Sequence, residues 1–152
     1  MKVVLVYDSV FGNTSKIAHA IYGALGKTAK IIKAWEFQPA MIQSADLVVM
    51  GSPINVWRPT KNMLEVFVKL KGVDLSGIAV ATFDSRYDKW WAGTACTRIA
   101  HELQSHGAEL IAKPEHFIVL GHEGPLRNGE EERAKAWGAS LIQKVSTRTP
   151  RA

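Results

Sequence analysis

The polar segment Ser9-Val10-Phe11-Gly12-Asn13-Thr14 lies between a short apolar run and a stretch of helical periodicity. Where a strand leads directly into a helix, the first N–H groups of the helix have no partner within it, and the helix dipole adds positive potential. Such a turn is suited to binding an anion, and phosphate is its common occupant. Capping of the helix by Asn13 and Thr14 would explain the same residues without any ligand, and the spacing favours neither interpretation.

Two other turns are rich in aromatic side chains. The first, residues 52–60, is stiffened by Pro53 and Pro59, and the second spans residues 84–93. Their aromatic residues are Trp57, Tyr87, Trp90 and Trp91. A planar ligand stacked on such a side chain gains about 0.5–1.5 kcal/mol beyond the area that it buries. Packing over the core, or contact between two copies of the chain, would equally explain Trp90 and Trp91, because tryptophan is enriched at protein interfaces.

Several other chemistries lack the residues that they need. The single cysteine and the histidines have no metal-ligand spacing, so no metal site is predicted. These residues are Cys96, His19, His101, His106, His116 and His122. Cys96 falls on an apolar helical stripe and is interpreted as a small buried hydrophobe. Phosphate-binding P-loop, dinucleotide-binding and serine-hydrolase glycine motifs are all missing, and no catalytic residue is predicted.

Short apolar runs alternate with segments of helical period, a pattern typical of a parallel sheet with crossover helices. The predicted strands are Val3–Tyr7, Ala29–Ile32, Leu47–Met50, Ile78–Phe83 and a fifth made of Leu110-Ile111 and Phe117–Leu120. Pro114 interrupts the fifth strand, because proline lacks the N–H that a ladder requires, and this favours a sheet edge or a bulge.

Four helices are predicted from apolar residues at helical spacing, with the last one over residues 130–144, while 35–45 holds at most a short helix. These elements predict a three-layer α/β sandwich, in which a five-stranded parallel sheet of order 2-1-3-4-5 has helices on both faces. In such a sheet the ligand lies beyond the carboxyl ends of the strands, beside strands 1 and 3. The polar segment and both aromatic segments begin at this edge.

The pattern Ser9-x-x-Gly12-Asn13-Thr14 after a first strand resembles the FMN phosphate loop of the flavodoxin family, whose usual form is Thr/Ser-x-Thr-Gly-Asn-Thr. The resemblance continues through the strand spacing, the Gly51-Ser52-Pro53 turn and the aromatic segment 84–93, and covers essentially the whole chain. The insertion of long-chain flavodoxins is missing, so the chain is similar to short-chain members. The resemblance implies a flavodoxin-like fold and FMN as the cofactor.

Two positions depart from this pattern. Val10 and Phe11 stand where flavodoxins that act as electron carriers frequently have threonine, which removes two hydroxyl groups from the loop. An apolar residue before the glycine also occurs in the flavodoxin domains of flavodiiron proteins, whose loop pattern is close to this one. By the resemblance, Ser9, Asn13 and Thr14 would bind the phosphate through side chains and backbone, and the other three residues of the loop through backbone N–H groups alone.

The resemblance also implies that the two aromatic segments hold the flavin ring. The residues that it places there are Pro53, Ile54, Asn55, Val56, Trp57, Asp84, Ser85, Arg86, Tyr87, Trp90, Trp91 and Gly93. Flavodoxins commonly flip a peptide of the first segment on reduction, usually at a glycine, and this segment has none. Asn55, the residue of this segment best able to adopt positive φ, is therefore the predicted site of the flip. The last loop, residues 121–130, is predicted to be structural or to close over segment 84–93.

Composition limits the class of protein. The chain has 152 residues, of which 47% are hydrophobic and 22% charged, as expected for one globular domain. We expect that domain over residues 1–145 and a short tail over residues 146–152. One cysteine cannot form an internal disulfide, and no apolar run reaches the roughly 20 residues that span a bilayer. We therefore expect a cytoplasmic protein without membrane partners, either a monomer or a weak dimer.

The charge balance is unusual for the family that the chain resembles. Lys and Arg number 19 against 14 Asp and Glu, which gives a net charge of +5. This charge is diffuse, without the basic cluster that binds nucleic acid. Electron-carrying flavodoxins are usually acidic, so we expect acidic redox partners here and a flavin that is more easily reduced to its anion.

Three functions remain open from the sequence. The favoured one is an FMN-binding electron-transfer protein. The second is a small NAD(P)H-dependent FMN reductase acting on quinones or similar acceptors, with Arg58, Arg86 or Lys89 holding the anionic nucleotide. It ranks lower because the chain lacks extra segments for a nicotinamide pocket. The third is a flavin-free domain that uses the fold to bind another anion or a protein.

Overall fold

A computed structural model describes residues 1–148 of the chain. Its strands are β1 (Val3–Tyr7), β2 (Lys30–Lys33), β3 (Leu47–Pro53), β4 (Ala79–Arg86), β5 (Glu109–Leu110) and β6 (Glu115–Ile118). All the pairs are parallel, and the order is β2-β1-β3-β4-β5, with β6 also paired to β4. The predicted strand order is confirmed.

The predicted break in the fifth strand is confirmed. β5 pairs with Ala79 and Val80 of β4, and β6 pairs further along the same strand with residues 83–86. Pro114 lies between β5 and β6 and cannot donate to the ladder. The two short strands therefore share one edge position of the sheet.

Four helices connect the strands: α1 (Asn13–Gly23), α2 (Lys61–Lys69), α3 (Cys96–Ser105) and α4 (Glu130–Thr147). Short 3₁₀ turns span residues 34–36, 39–41 and 90–92, so the region 35–45 holds only short helical turns, as predicted. None of the helices within residues 1–148 has the length and apolar character that a bilayer crossing requires.

Side chains alternate between two cores, one on each face of the sheet. In β1, Val3 and Leu5 pack with the apolar stripes of α1 and α4, whereas Val4 and Val6 pack with those of α2 and α3. Each fully buried aliphatic side chain contributes about 1.5–3 kcal/mol relative to an exposed one. This two-sided burial explains the continuous apolar run of the strand and confirms helices on both faces.

Helix α4 runs beyond its predicted end at Lys144. It continues to Thr147 and buries Leu141 and Val145 against the core, so it includes two residues of the predicted tail. The last four residues of that tail, 149–152, lie outside the described residues.

Candidate functional site

A cavity of about 530 Å³ lies at the carboxyl end of the sheet, where the loops after β1, β3 and β4 meet. Its volume falls within the range of roughly 300–1,000 Å³ typical of small-molecule sites. Its lining residues are Val10, Phe11, Asn13, Thr14, Pro53, Ile54, Asn55, Val56, Trp57, Thr60, Ser85, Arg86, Tyr87, Trp91, Ala92, Val119 and His122. The three predicted segments therefore come together around one cavity.

Five of the predicted binding residues do not line this cavity. They are Ser9, Gly12, Asp84, Trp90 and Gly93. Trp90 is 92% exposed, although its neighbour Trp91 lines the cavity. The other four lie behind the cavity walls and make hydrogen bonds or close packing contacts there.

Ser9 and Gly12 form the turn that leads into α1. The Ser9 hydroxyl accepts hydrogen bonds from the backbone N–H groups of Gly12 and Ser15, both at 3.2 Å. Gly12 is the N-cap of the helix and has a φ of 92°, a left-handed conformation that glycine adopts without steric cost. The Ser9 side chain therefore holds the turn in shape from within.

Asn13 and Thr14 do not cap the helix with their side chains. The Asn13 amide donates to the carbonyl oxygen of Glu123 at 2.9 Å, and the Thr14 hydroxyl lies 2.7 Å from the Ser85 hydroxyl. Both residues line the cavity and occupy the first helical turn, where backbone N–H groups have no partner within the helix. This end of the cavity can bind an anion through those N–H groups and the helix dipole.

Aromatic side chains wall the other end of the cavity. The Trp57 indole donates from Nε1 to the backbone oxygen of Trp91 at 2.7 Å, and the Tyr87 and Trp91 rings are tilted at 49° with centroids 5.9 Å apart. Trp57 is 66% exposed and Trp91 50% exposed, so each still offers ring surface to a ligand or a partner. This end suits a planar aromatic ligand.

The tip of segment 52–60 is a tight hairpin. Asn55 and Arg58 exchange backbone hydrogen bonds of 2.6 and 3.2 Å, and the two residues between them have positive φ, 50° at Val56 and 62° at Trp57. The hairpin therefore puts the left-handed conformation at its two central positions and not at Asn55, whose flip on flavin reduction stays a prediction. A β-branched residue such as Val56 is strained there.

Gly93 allows the two aromatic loops to touch. Its φ is +82°, and a Cβ atom there would lie 2.7 Å from Trp57 Cδ1 and 2.9 Å from Trp57 Cα. Its carbonyl oxygen accepts a hydrogen bond of 2.8 Å from Arg86 Nη1. Gly93 thus supports the aromatic wall from outside the cavity.

Arg86 gives the cavity its charge. Among the lining residues it alone is permanently ionised, and His122 is the other titratable side chain with a basic group. The acidic residue Asp8 instead accepts a hydrogen bond of 2.5 Å from the Thr60 hydroxyl. The cavity lining therefore carries a positive charge at Arg86 and is otherwise mostly apolar.

Asp84 belongs to a second cluster, formed with Cys96 and His116. Asp84 Oδ2 accepts from the backbone N–H groups of Ala95 and Cys96 at 2.9 and 3.1 Å, and Oδ1 lies 2.7 Å from His116 Nδ1. Burial first, and the Asp84 charge second, raise the pKa of the Cys96 thiol well above its ordinary value. The thiol is therefore protonated at neutral pH and, as the sequence predicts, Cys96 is buried on the apolar stripe of α3.

Four lining residues were not predicted: Thr60, Ala92, Val119 and His122. The sequence could have pointed to Thr60, because it follows Pro59 at a helix start. In the structure it caps α2 by accepting a hydrogen bond from Met63 N at 3.3 Å. No sequence pattern pointed to His122. It reaches the cavity through the last loop, where its ring packs edge-on against Phe11 with centroids 5.0 Å apart. The last loop also contacts segment 84–93 through an ion pair between Arg127 and Asp88 at 3.5 Å.

A doubly wound parallel sheet with a cavity beside strands 1 and 3, walled by aromatic rings and a helix N-terminus, defines a class of nucleotide-binding α/β proteins. The chain belongs to the flavodoxin-domain family, whose model matches residues 4–122. FMN is the cofactor of this family, and its members transfer electrons to redox partners.

Solved structures agree with the fold. Oxidised flavodoxin 1 from Bacillus cereus is 19% identical with a TM-score of 0.83, over 98% of this chain and 100% of that one. An archaeal flavodoxin is 21% identical with a TM-score of 0.82, over 96% and 99%. Rubredoxin oxygen:oxidoreductase from Desulfovibrio gigas is 21% identical with a TM-score of 0.76, over 97% of this chain but 37% of that larger one. No curated protein matches the sequence.

The cavity fits FMN in chemistry as well as in position. One end offers the backbone N–H groups of Asn13 and Thr14 to a phosphate, and the other offers ring surface to the flavin. At the aromatic end, Arg86 Nε is buried without a hydrogen-bond partner among the described residues, so it can donate to a ligand acceptor.

Proposed function

We propose that this protein is an FMN-dependent electron carrier that holds the phosphate at the start of α1 and the flavin ring between the two aromatic loops. The observation that carries the proposal is the continuity of one cavity from Asn13 and Thr14 to Trp57 and Trp91. A ligand with an anionic group at one end and a planar aromatic ring at the other matches both ends at once.

The phosphate end works through backbone geometry more than through hydroxyl groups. The side chains of Ser9, Asn13 and Thr14 already have partners within the protein, at 2.7 to 3.2 Å. Phosphate would therefore be bound by the backbone N–H groups of Asn13 and Thr14, at the start of α1, and by the dipole of that helix. Val10 and Phe11 line the cavity there without adding a polar side-chain group.

The aromatic end holds the ring and limits its contact with water. When bound, FMN supplies the electron-transfer chemistry, accepting electrons from a donor protein and passing them to an acceptor. A hydrogen bond from Trp57 Nε1 to the backbone oxygen of Trp91 joins the two residues. The wall that they form is therefore already in place before FMN binds. A carrier of this kind needs no acid or base residue from the chain.

An acidic redox partner matches the surface around the cavity. Arg58, Lys61 and Lys89 are exposed near the aromatic loops, and the whole chain has a net charge of +5. Electrostatic attraction steers such encounters and is screened by salt. We expect electron transfer to an acidic acceptor protein to slow as ionic strength rises from 0.01 to 0.15 M, where the Debye length falls from about 30 to about 8 Å. Transfer to a small neutral acceptor should not change, and a salt-independent protein reaction would contradict the proposal.

FMN titration of the purified apoprotein tests the main proposal, with binding followed by tryptophan quenching. Trp91→Ala should weaken FMN binding about tenfold, because an aromatic contact of about 0.5–1.5 kcal/mol and part of the ring's apolar burial are lost. Trp90→Ala is the matched control, since the neighbouring Trp90 is outside the cavity, and it should change the dissociation constant less than twofold.

A wild-type protein that does not bind FMN would overturn the proposal. Rapid bleaching of bound FMN by NADH or NADPH alone would favour the reductase instead. An equal loss of FMN affinity in the Trp91→Ala and Trp90→Ala variants would mean that the flavin ring does not bind against Trp91.

A further inference from the structure

Arg86, the last residue of β4, has a buried guanidinium nitrogen without a hydrogen-bond partner. Within residues 1–148 its Nε is the one buried side-chain nitrogen or oxygen atom of this kind. Such groups are rare in native proteins, because an N–H removed from water without an acceptor is unfavourable. Since Arg86 lines the cavity, an acceptor on a bound ligand would satisfy it.

The position of the guanidinium is fixed at the aromatic end. Nη1 donates to the Gly93 carbonyl oxygen at 2.8 Å, and Gly93 packs directly against Trp57. The Arg86 backbone is held as well, since its carbonyl oxygen accepts from Val119 N at 2.8 Å. The charge is therefore placed beside the ring wall.

Nearby carboxylates do not neutralise this charge inside the cavity. Asp8 and Asp84 are both buried, but neither lines the cavity, and both accept hydrogen bonds from other parts of the protein. Asp88 is largely exposed and lies 3.5 Å from Arg127. The remaining titratable side chains in the lining are Tyr87, whose ring lies against Trp91, and His122, on the opposite loop against Phe11.

We propose that Arg86 donates its Nε–H to an acceptor of the flavin ring and sets the preference of the site for reduced over oxidised FMN. This inference rests on the proposed function. On full reduction FMN takes two electrons from its donor and one proton from water, and the ring gains one negative charge. A fixed guanidinium in a mostly apolar cavity stabilises that charge, whereas the neutral oxidised ring gains only the hydrogen bond.

The test measures the dissociation constants of oxidised and dithionite-reduced FMN for wild type, Arg86→Gln and Arg86→Lys under anaerobic conditions. Arg86→Gln should lose at least tenfold more affinity for reduced than for oxidised FMN, which lowers the two-electron midpoint potential by about 30 mV. Arg86→Lys keeps the charge and should retain most of the preference. Arg58→Gln removes an equal charge from an exposed position outside the cavity lining and should change the preference less than threefold.

A merely structural Arg86 would weaken both redox forms equally and leave the potential unchanged, which would overturn the inference. If Arg86→Gln lost affinity for FMN but not for riboflavin, which lacks the phosphate, Arg86 would bind the phosphate and the inference would also be overturned. If the variants do not fold, the wild type decides: it should bind reduced FMN at least as tightly as oxidised FMN, and weaker binding of the reduced form contradicts the inference. A wild-type protein that binds neither oxidised nor reduced FMN would instead refute the proposed function.

Discussion

Replacing Gly93 with alanine should weaken FMN binding by about ten- to a hundredfold. The new Cβ would lie 2.7 to 2.9 Å from Trp57, and the φ of +82° is one that L side chains rarely adopt. Backbone strain of this kind costs about 1–3 kcal/mol, and each 1.4 kcal/mol is a factor of ten in affinity. The variant relieves the strain by moving the two aromatic loops apart, and binding would have to reverse that movement.

Gly72→Ala separates this effect from backbone strain in general. Gly72 has a similar φ of +78°, but a Cβ there would meet nothing within 4 Å, and the residue lies in the turn after α2. Gly72→Ala should lower the free energy of unfolding and leave the FMN dissociation constant unchanged. If Gly93→Ala binds FMN as the wild type does, the two loops do not need their contact to form the ring site.

Replacing Glu130, which holds the last loop to the sheet, should cause a large loss of stability. Glu130 is 2% exposed; its Oε2 accepts from the Ile118 backbone N–H and from Arg133 Nη2, both at 2.7 Å, and its Oε1 accepts from Arg133 Nε at 3.0 Å. Glu130→Ala leaves the buried Ile118 N–H without its acceptor and removes one of the two carboxylates that pair with Arg133, so we expect a loss of about 3 kcal/mol in the free energy of unfolding. Urea denaturation at pH 7 measures it.

The same carboxylate makes stability depend on pH. Burial alone would raise the pKa of Glu130, but the hydrogen bonds and charge of Arg133, the Ile118 N–H and Arg127 together lower it below its ordinary value. A lowered pKa in the folded state contributes stability that is complete above the unfolded value of about 4.3 and is lost as pH falls toward the folded value.

Glu130→Gln therefore isolates this contribution. Its deficit in unfolding free energy relative to wild type should be largest at pH 7. The deficit should shrink below about pH 4.3, where the wild type begins to lose the stability that the ionised Glu130 carboxylate contributes. Glu131→Gln, at the exposed neighbouring position, should be close to wild type at every pH. A Glu130→Gln deficit that is the same at pH 7 and pH 3.5 would contradict the argument.

The sheet was predictable because its strands are buried on both faces. Val3–Tyr7 and Leu47–Met50 read as unbroken apolar runs, and only a sheet covered on both sides explains such runs at this spacing. Pro114 marked the break in the fifth strand for an equally direct reason. The end of α4 was less predictable, because Ser146 and Thr147 carry no apolar signal and merely continue a helix already packed by Val145.

The loops at the site were predictable as a group but not in detail. The carboxyl ends of parallel strands had to meet, which brought Asn13, Trp57 and Arg86 together. Which of two adjacent tryptophans lines the cavity depends on the 3₁₀ turn at residues 90–92, and no sequence pattern encodes its rotation. The positive φ at Val56 was missed because hairpin register, and not residue preference, decides it.

The two outer strands of the sheet have a consequence for self-association. β2 reads Lys30-Ile31-Ile32-Lys33, with an exposed lysine at each end, and the opposite edge is divided into strands of two and four residues around Pro114. An unpaired strand edge is a template for another chain, and lysine, proline and shortness are the features that block it. Both edges of this sheet are therefore protected against the edge-to-edge pairing that leads to aggregation, although the aromatic loops expose large apolar side chains.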